Sequence, residues 1–182
     1  MKLKTKFRSL KKIYHISDIQ IRNLKRHKEY EQVFENLYDF LRKDPDNSVV
    51  YIGGDIAHSK TDMSPELVDE LSRLFKNLAD ICPTLIIAGN HDCNLNNRSR
   101  LDVLTPIVDN LNHPDLHYLN ETGIYYAGDV GFAVLEVRDD EANLPDPSTI
   151  NAKTKVLLFH GTVDKSQTDL GFALPSAVKL KD

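Results

Sequence analysis

The stretch "TLIIAGNHD", residues 84–92, decides how this chain is read. An unbroken apolar run, Leu85 to Ala88, stops at Gly89, and Asn90, His91 and Asp92 follow at once. A continuous run of that kind suits a strand buried on both faces. Three polar groups are a costly way to end a buried strand unless they bind something or do chemistry. Working outward, the same design recurs. "IYHIS" (13–17) runs into Asp18 and Gln20, "SVVYIGG" (48–54) into Asp55 with His58 three residues on, and "KVLLF" (155–159) into His160. A lone strand-end aspartate is usually a cap or a turn residue, and a lone histidine a satisfied core residue. Four strand ends that all deliver oxygen or imidazole donors are much harder to explain that way. Glycines before Asp55 and Asn90 let the backbone turn tightly and approach an ion or phosphate.

The segments between these strands carry a helical period. "HKEYEQVFENLYDFLRK" (27–43) sets Tyr30, Val33, Phe34, Leu37, Phe40 and Leu41 along one face. Ser64 reads as an N-cap and Pro65 as the first helical position, followed by Leu67, Val68, Leu71, Leu74, Phe75 and Leu78. "SRLDVLTPIVDNL" (99–111) predicts a third helix that Pro106 interrupts or restarts. "GIYYAGDVGFAVLEV" (123–137) predicts a hairpin around Gly128 to Gly131, while "NHPDLHYLN" (112–120), with His113 and His117, reads as a loop and edge strand. Strand alternating with helix implies parallel β-α-β units and a layered α/β sandwich. Ligands in such folds gather at the carboxyl ends of the strands.

Bulk composition agrees and excludes several classes. At 182 residues, 41% hydrophobic and 27% charged, the chain fits one globular domain, 1–182. No apolar run approaches the ~20 residues that span a bilayer, and the basic N-terminus lacks the apolar core of a secretory signal. Cys82 and Cys93 make neither a disulfide framework nor a zinc spacing, which points to a reducing, intracellular, cytoplasmic setting. Six of the first twelve residues are basic and none is acidic, although the net charge is −4. That arm either touches nucleic-acid phosphates or is a solvated lead into the first strand.

D-x-[HQ], GD, GNHD and a later histidine, in that order, resemble the calcineurin-like metallophosphoesterases. Within that superfamily "HISDIQIRN", "GGDIAHSK" and "GNHDCN" are most similar to SbcD-type nucleases of double-strand-break repair, bacterial or viral. The resemblance covers roughly residues 12–175. It implies a metal-dependent DNA exonuclease or endonuclease carrying two divalent ions, with DNA as substrate and an SbcC-type coiled-coil ATPase as partner of the full-length protein. It also implies no membrane and a homodimer through the helices at 64–80 and around 100–111, the alternative being that Leu67, Val68, Leu71, Leu74, Phe75 and Leu78 all pack on the sheet. If the chain is viral, its place is the host cell interior. Carried over, Asp55 bridges both ions, Asp18 holds the first, and Gln20 stands where the family has histidine. Asn90 and His160 hold the second. His91 contacts the scissile phosphate and helps protonate the leaving oxygen, and His58 lines the DNA side. Arg22, Asn23, Lys25, Arg26 and Arg98 are the expected DNA contacts. Carboxylate, amide and imidazole together suit manganese best, with magnesium, iron or zinc as alternatives. Two carboxylates in one dry pocket also ask for a cation.

The departures from the pattern define the alternatives. Family members add a Gly-x-His-x-His element on a further strand, and then a capping domain and an ATPase-binding tail. None of these exists in this sequence, which ends at "PSAVKLKD" (175–182). The expectation is a sandwich truncated before its last metal-binding strand and a fragment with little or no nuclease activity. A non-catalytic relic of the same fold is the second reading, and a phosphatase or cyclic-nucleotide phosphodiesterase the third. Arg22, Lys25, Arg26, His27 and Lys28 favour an extended polyanion over a small ester, though an exposed helix start would look the same.

Overall fold

The computed structural model describes residues 1–174. Its elements, in chain order, are β1 (Lys12–Ile16), α1 (His27–Arg42), β2 (Ser48–Ile52), α2 (Pro65–Ile81), β3 (Thr84–Ile86), α3 (Thr105–Leu111), β4 (Leu116–Tyr118), β5 (Gly123–Ala127), β6 (Val130–Leu135) and β7 (Thr154–Phe159). The segment 175–182, where the sequence reading stops short of a further strand, lies outside the described residues.

Strands β1 to β4 form one sheet in chain order, every pair parallel. Strands β5, β6 and β7 form a second sheet, with β5 and β6 antiparallel and β7 parallel to β6. Side-chain alternation sorts the core into two layers. Val50, Ile52 and Ile86 join Phe34, Leu41, Leu71, Leu74, Phe75 and Leu78 from the helices. Val49, Tyr51, Leu85 and Ile87 face the other way and meet Tyr125, Phe132, Val134 and Leu158 of the second sheet. The order is helices, sheet, sheet. This is the layered α/β sandwich expected, with two corrections at its edges. Strands β2 and β3 are buried on both faces, but β1 and β7 leave alternate residues exposed because each lies at an edge.

The helices form for local reasons, and here too the structure corrects details. The Ser64 hydroxyl accepts from Leu67 N–H, and Pro65 opens α2 without losing a hydrogen bond. In α1 the buried residues are Phe34, Tyr38 and Leu41, whereas Val33 and Phe40 are mostly exposed. The buried stripe is rotated from the expected face, and Tyr38 takes a place that looked polar in sequence. The third helix begins only at Thr105, not at Ser99. Pro106 starts it, and the Asp102 carboxylate accepts from the N–H groups of Leu104 and Thr105. The basic N-terminal arm is more than a solvated lead: its backbone is paired at its start, while Lys2, Lys4, Lys6, Arg8 and Lys11 stay exposed. Leu3 N–H donates to Tyr126 and Tyr126 N–H to Met1, so residues 1–3 run along the free edge of β5. Leu3, Phe7 and Leu10 pack against the inter-sheet core.

Candidate metal centre

Register brings the strand ends together. Ile16 pairs with Ile52 and Ile52 with Ile86, so β1, β2 and β3 finish side by side. The loops beyond them stay zipped. Asp18 N–H donates to Gly54 (3.1 Å), Gln20 N–H to Asp55 (2.9 Å) and Ile21 N–H to Ile56 (2.8 Å). Three residues here, Asp18, Gln20 and Asp55, adopt left-handed backbone with φ of 54°, 49° and 52°. Each such residue costs about 1–3 kcal/mol and persists only where its surroundings enforce it. Gly54 has φ 92°, and a Cβ there would stand 2.7 Å from Gly89 N. A Cβ on Gly89 would stand 2.1 Å from Asp55 Oδ1. Both glycines exist so that the two loops can touch.

Asp92 welds these loops from beneath. Its buried carboxylate accepts from Ile56 N–H (3.0 Å), Ala57 N–H (2.9 Å) and Gly89 N–H (2.9 Å). Burial pushes its pKa up to about 6 against the pull of those amides. Sequence reasoning counted Asp92 among the polar residues of the motif but gave it no role, because contacts with distant backbone N–H groups leave no sequence pattern.

The donors meet above this clamp. Among the described residues, Asp18, Asp55 and His160 offer ligand atoms that all lie within 4.8 Å of one another. His160 Nδ1 lies 2.8 Å from the Gly53 carbonyl, which can only accept, so Nδ1 carries the proton. In the neutral ring the lone pair is therefore on Nε2. That atom faces Asp55 Oδ1 at 3.4 Å and Asn90 Oδ1 at 3.2 Å. With the ring neutral, three electron-rich atoms converge, an arrangement resolved by a cation or by a second proton on Nε2. Asp18, half of the carboxylate pair, is exposed, and its side chain accepts from the Ser17 hydroxyl. The donor set fits a divalent ion.

The other expected residues lie around this cluster. His91 N–H donates to Asp55 Oδ1 (2.9 Å), and its ring Nδ1 donates to the His58 carbonyl (2.7 Å). His91 Nε2 is 3.8 Å from Asp55 Oδ2. Gln20 Oε1 points at His58 Nδ1, 3.3 Å away. Arg22, Lys25 and Arg26 line a recess with Tyr30 on the loop that enters α1. Asn23 is occupied elsewhere, donating to Asp62 at 2.7 Å, and Arg98 pairs with Asp139 at 3.3 Å. Lys60, which sequence reasoning passed over, donates to the Asn90 carbonyl at 3.3 Å. Its position five residues after Asp55 was the available signal.

Comparison with known proteins adds three findings. The uncharacterized protein R555 of Acanthamoeba polyphaga mimivirus is 42% identical over 176 residues, which is 91% of this chain and 13% of that protein's length. The crystal structure of Pseudomonas putida nuclease MPE aligns with 90% of this chain and 67% of its own, at 17% identity and a TM-score of 0.43. That likeness is too distant to bear on activity. A family model for calcineurin-like phosphoesterases matches residues 11–176, and the chain belongs to that family.

Proposed function

We propose that this chain is the metal-dependent nuclease core of a DNA-processing protein, hydrolysing DNA phosphodiesters. In this reading Asp18, Asp55, Asn90 and His160 are the ion ligands, and His91 and His58 meet the phosphate. The observation that carries it is the convergence of Asp55 Oδ1, Asn90 Oδ1 and the lone pair of His160 Nε2, whose ring is locked by the Gly53 carbonyl. Divalent ions held there, manganese first and magnesium, iron or zinc as alternatives, would supply Lewis-acid polarisation of the phosphoryl group and neutralise its charge. His91 is set for proton transfer: Nδ1–H is spent on the His58 carbonyl, leaving Nε2 to hold or give a proton at the leaving oxygen. Such general-acid catalysis contributes typically ~10²–10⁴-fold.

DNA rather than a small ester is supported by Arg22, Lys25 and Arg26 in the recess beside the first loop and by Lys60 next to Asn90. Cations on two neighbouring loops suit an extended polyanion. A homodimer across α2 and α3 belongs to the same proposal: Met63, Val68, Val103, Ile107 and Leu111 line an apolar groove there. A role in repair or recombination and an SbcC-type ATPase partner are supported by the sequence resemblance alone. Among the described residues no helix is long and apolar enough to cross a membrane. The viral relative supports a host-cell interior as the place of action.

The chain spans 13% of that relative's length, and the assay is run at stoichiometric protein. Linear DNA, bis(p-nitrophenyl) phosphate and p-nitrophenyl phosphate are compared in manganese, alongside Asp55→Ala. Slow diester cleavage that favours DNA and disappears in Asp55→Ala supports the proposal. Hydrolysis of the monoester alone would make the chain a phosphatase. Manganese and DNA binding without cleavage of any ester would favour a non-catalytic relic.

A further inference from the structure

Two imidazoles at the edge of the metal centre each have one ring nitrogen held by an oxygen. His91 Nδ1 donates to the His58 carbonyl at 2.7 Å, and His58 Nδ1 lies 3.3 Å from Gln20 Oε1. Their rings are nearly parallel, with centroids 5.8 Å apart and 24° between planes. A backbone carbonyl only accepts, so His91 Nδ1 carries the proton; with Gln20 Oε1 as its acceptor His58 Nδ1 carries one too, and Nε2 is the atom each ring leaves to the site. Gln20 is itself firmly placed. Its N–H donates to Asp55 (2.9 Å), and its carbonyl accepts from the Tyr30 hydroxyl (3.2 Å). Neither His58 nor His91 falls within the Asp18, Asp55 and His160 grouping.

We propose that Gln20 is a positioning residue that acts through His58, fixing the tautomer and ring orientation of that imidazole, and that it is not a metal ligand. The proposal rests on the metal-centre reading above. Its spacing from Asp18 invites the opposite assignment, since a donor two residues after a strand-end carboxylate looks like a second ligand. The hydrogen-bond partner of its side chain decides otherwise. The Gln20 side-chain oxygen faces an N–H, and a histidine whose far nitrogen is held by an amide carbonyl presents one defined nitrogen to its target. Substituting histidine at this position would remove the acceptor that orients His58, whatever it added to an ion.

The test uses wild type, Gln20→Met and Gln20→Glu, without substrate. Manganese affinity is measured by calorimetry, and histidine tautomers by two-dimensional proton–nitrogen spectra of histidine-labelled protein. Gln20→Met should hold manganese within about threefold of wild type, well short of the 10–100-fold that losing a ligand's partner costs. In that variant the His58 signals should leave the single Nδ1–H pattern for a mixture. Gln20→Glu, which keeps an acceptor oxygen, should restore the pattern. A tenfold or greater loss of manganese affinity in Gln20→Met would make Gln20 a ligand and overturn the proposal. An unchanged His58 pattern in Gln20→Met would overturn it too. Wild-type protein that binds no manganese would sink the metal-centre reading instead, and the spectra would then decide the Gln20–His58 pairing alone.

Discussion

At the scale of single residues, the centre depends on how closely two loops approach. Gly89 is the tightest point: an added Cβ would sit 2.1 Å from Asp55 Oδ1 and 2.3 Å from Asp55 N. One of those neighbours is backbone and the other belongs to a carboxylate already engaged by His91 N–H, so neither can yield cheaply. Gly89→Ala should therefore part the loops and weaken manganese binding by at least tenfold, the cost expected when the support of a ligand is lost. Calorimetry checks this, with near-native circular dichroism as the control that the sandwich still forms. Much of this scale was legible in sequence. Asp18, Asp55, Asn90 and His160 announced themselves because polar donors interrupt apolar strands at their ends. Asp92 and the tautomer of His160 did not, because each depends on a backbone group far away in the chain: Ile56 and Gly53 respectively.

At the scale of elements, the segment after β6 is pinned by one carboxylate. Asp139 accepts from Asn143 Nδ2 (2.8 Å) and Asp140 N–H (2.9 Å), and faces Arg98 at 3.3 Å. Hydrogen bonds from Thr122 and Asn143 hold its pKa down at about 2. A carboxyl group whose folded pKa is depressed adds stability above its unfolded value, and that contribution is lost as pH falls through the folded value. Asp139→Ala should thus be less stable than wild type at pH 7. The gap between their melting temperatures should begin to close below about pH 4 and keep narrowing as pH falls through about 2. A gap that stays constant from pH 7 to pH 2 would remove the carboxylate from this role. Element types were readable from period and caps, as Ser64 and Pro65 show. The faces were less so. Val33 and Phe40 fit the helical stripe, yet Phe40 packs only edge-on against Tyr14, while Tyr38 reaches the core because its ring is apolar even though its hydroxyl is not.

At the scale of the whole molecule, two sheets and one helical layer bring ends of both sheets to one rim. The N-terminal arm belongs to that architecture, since residues 1–3 extend the β5 edge and Phe7 and Leu10 cover the inter-sheet core. Deleting residues 1–9 should lower the melting temperature by several degrees, as removal of the pairing along β5 and of the Leu3 and Phe7 anchors uncovers the core. An unchanged melting temperature would mean that the arm is dispensable. The layered architecture followed from strand–helix alternation, whereas the arm's role did not, because six positive charges hide three apolar anchors at Leu3, Phe7 and Leu10. The central claim is that these strand ends build a divalent-cation centre, and anomalous scattering from a manganese-soaked crystal tests it most directly. A strong peak is expected about 2.0–2.6 Å from Asp55, Asn90 and His160, stronger than any peak on the Gln20 side. No peak within reach of Asp55 and His160 at saturating manganese would contradict it.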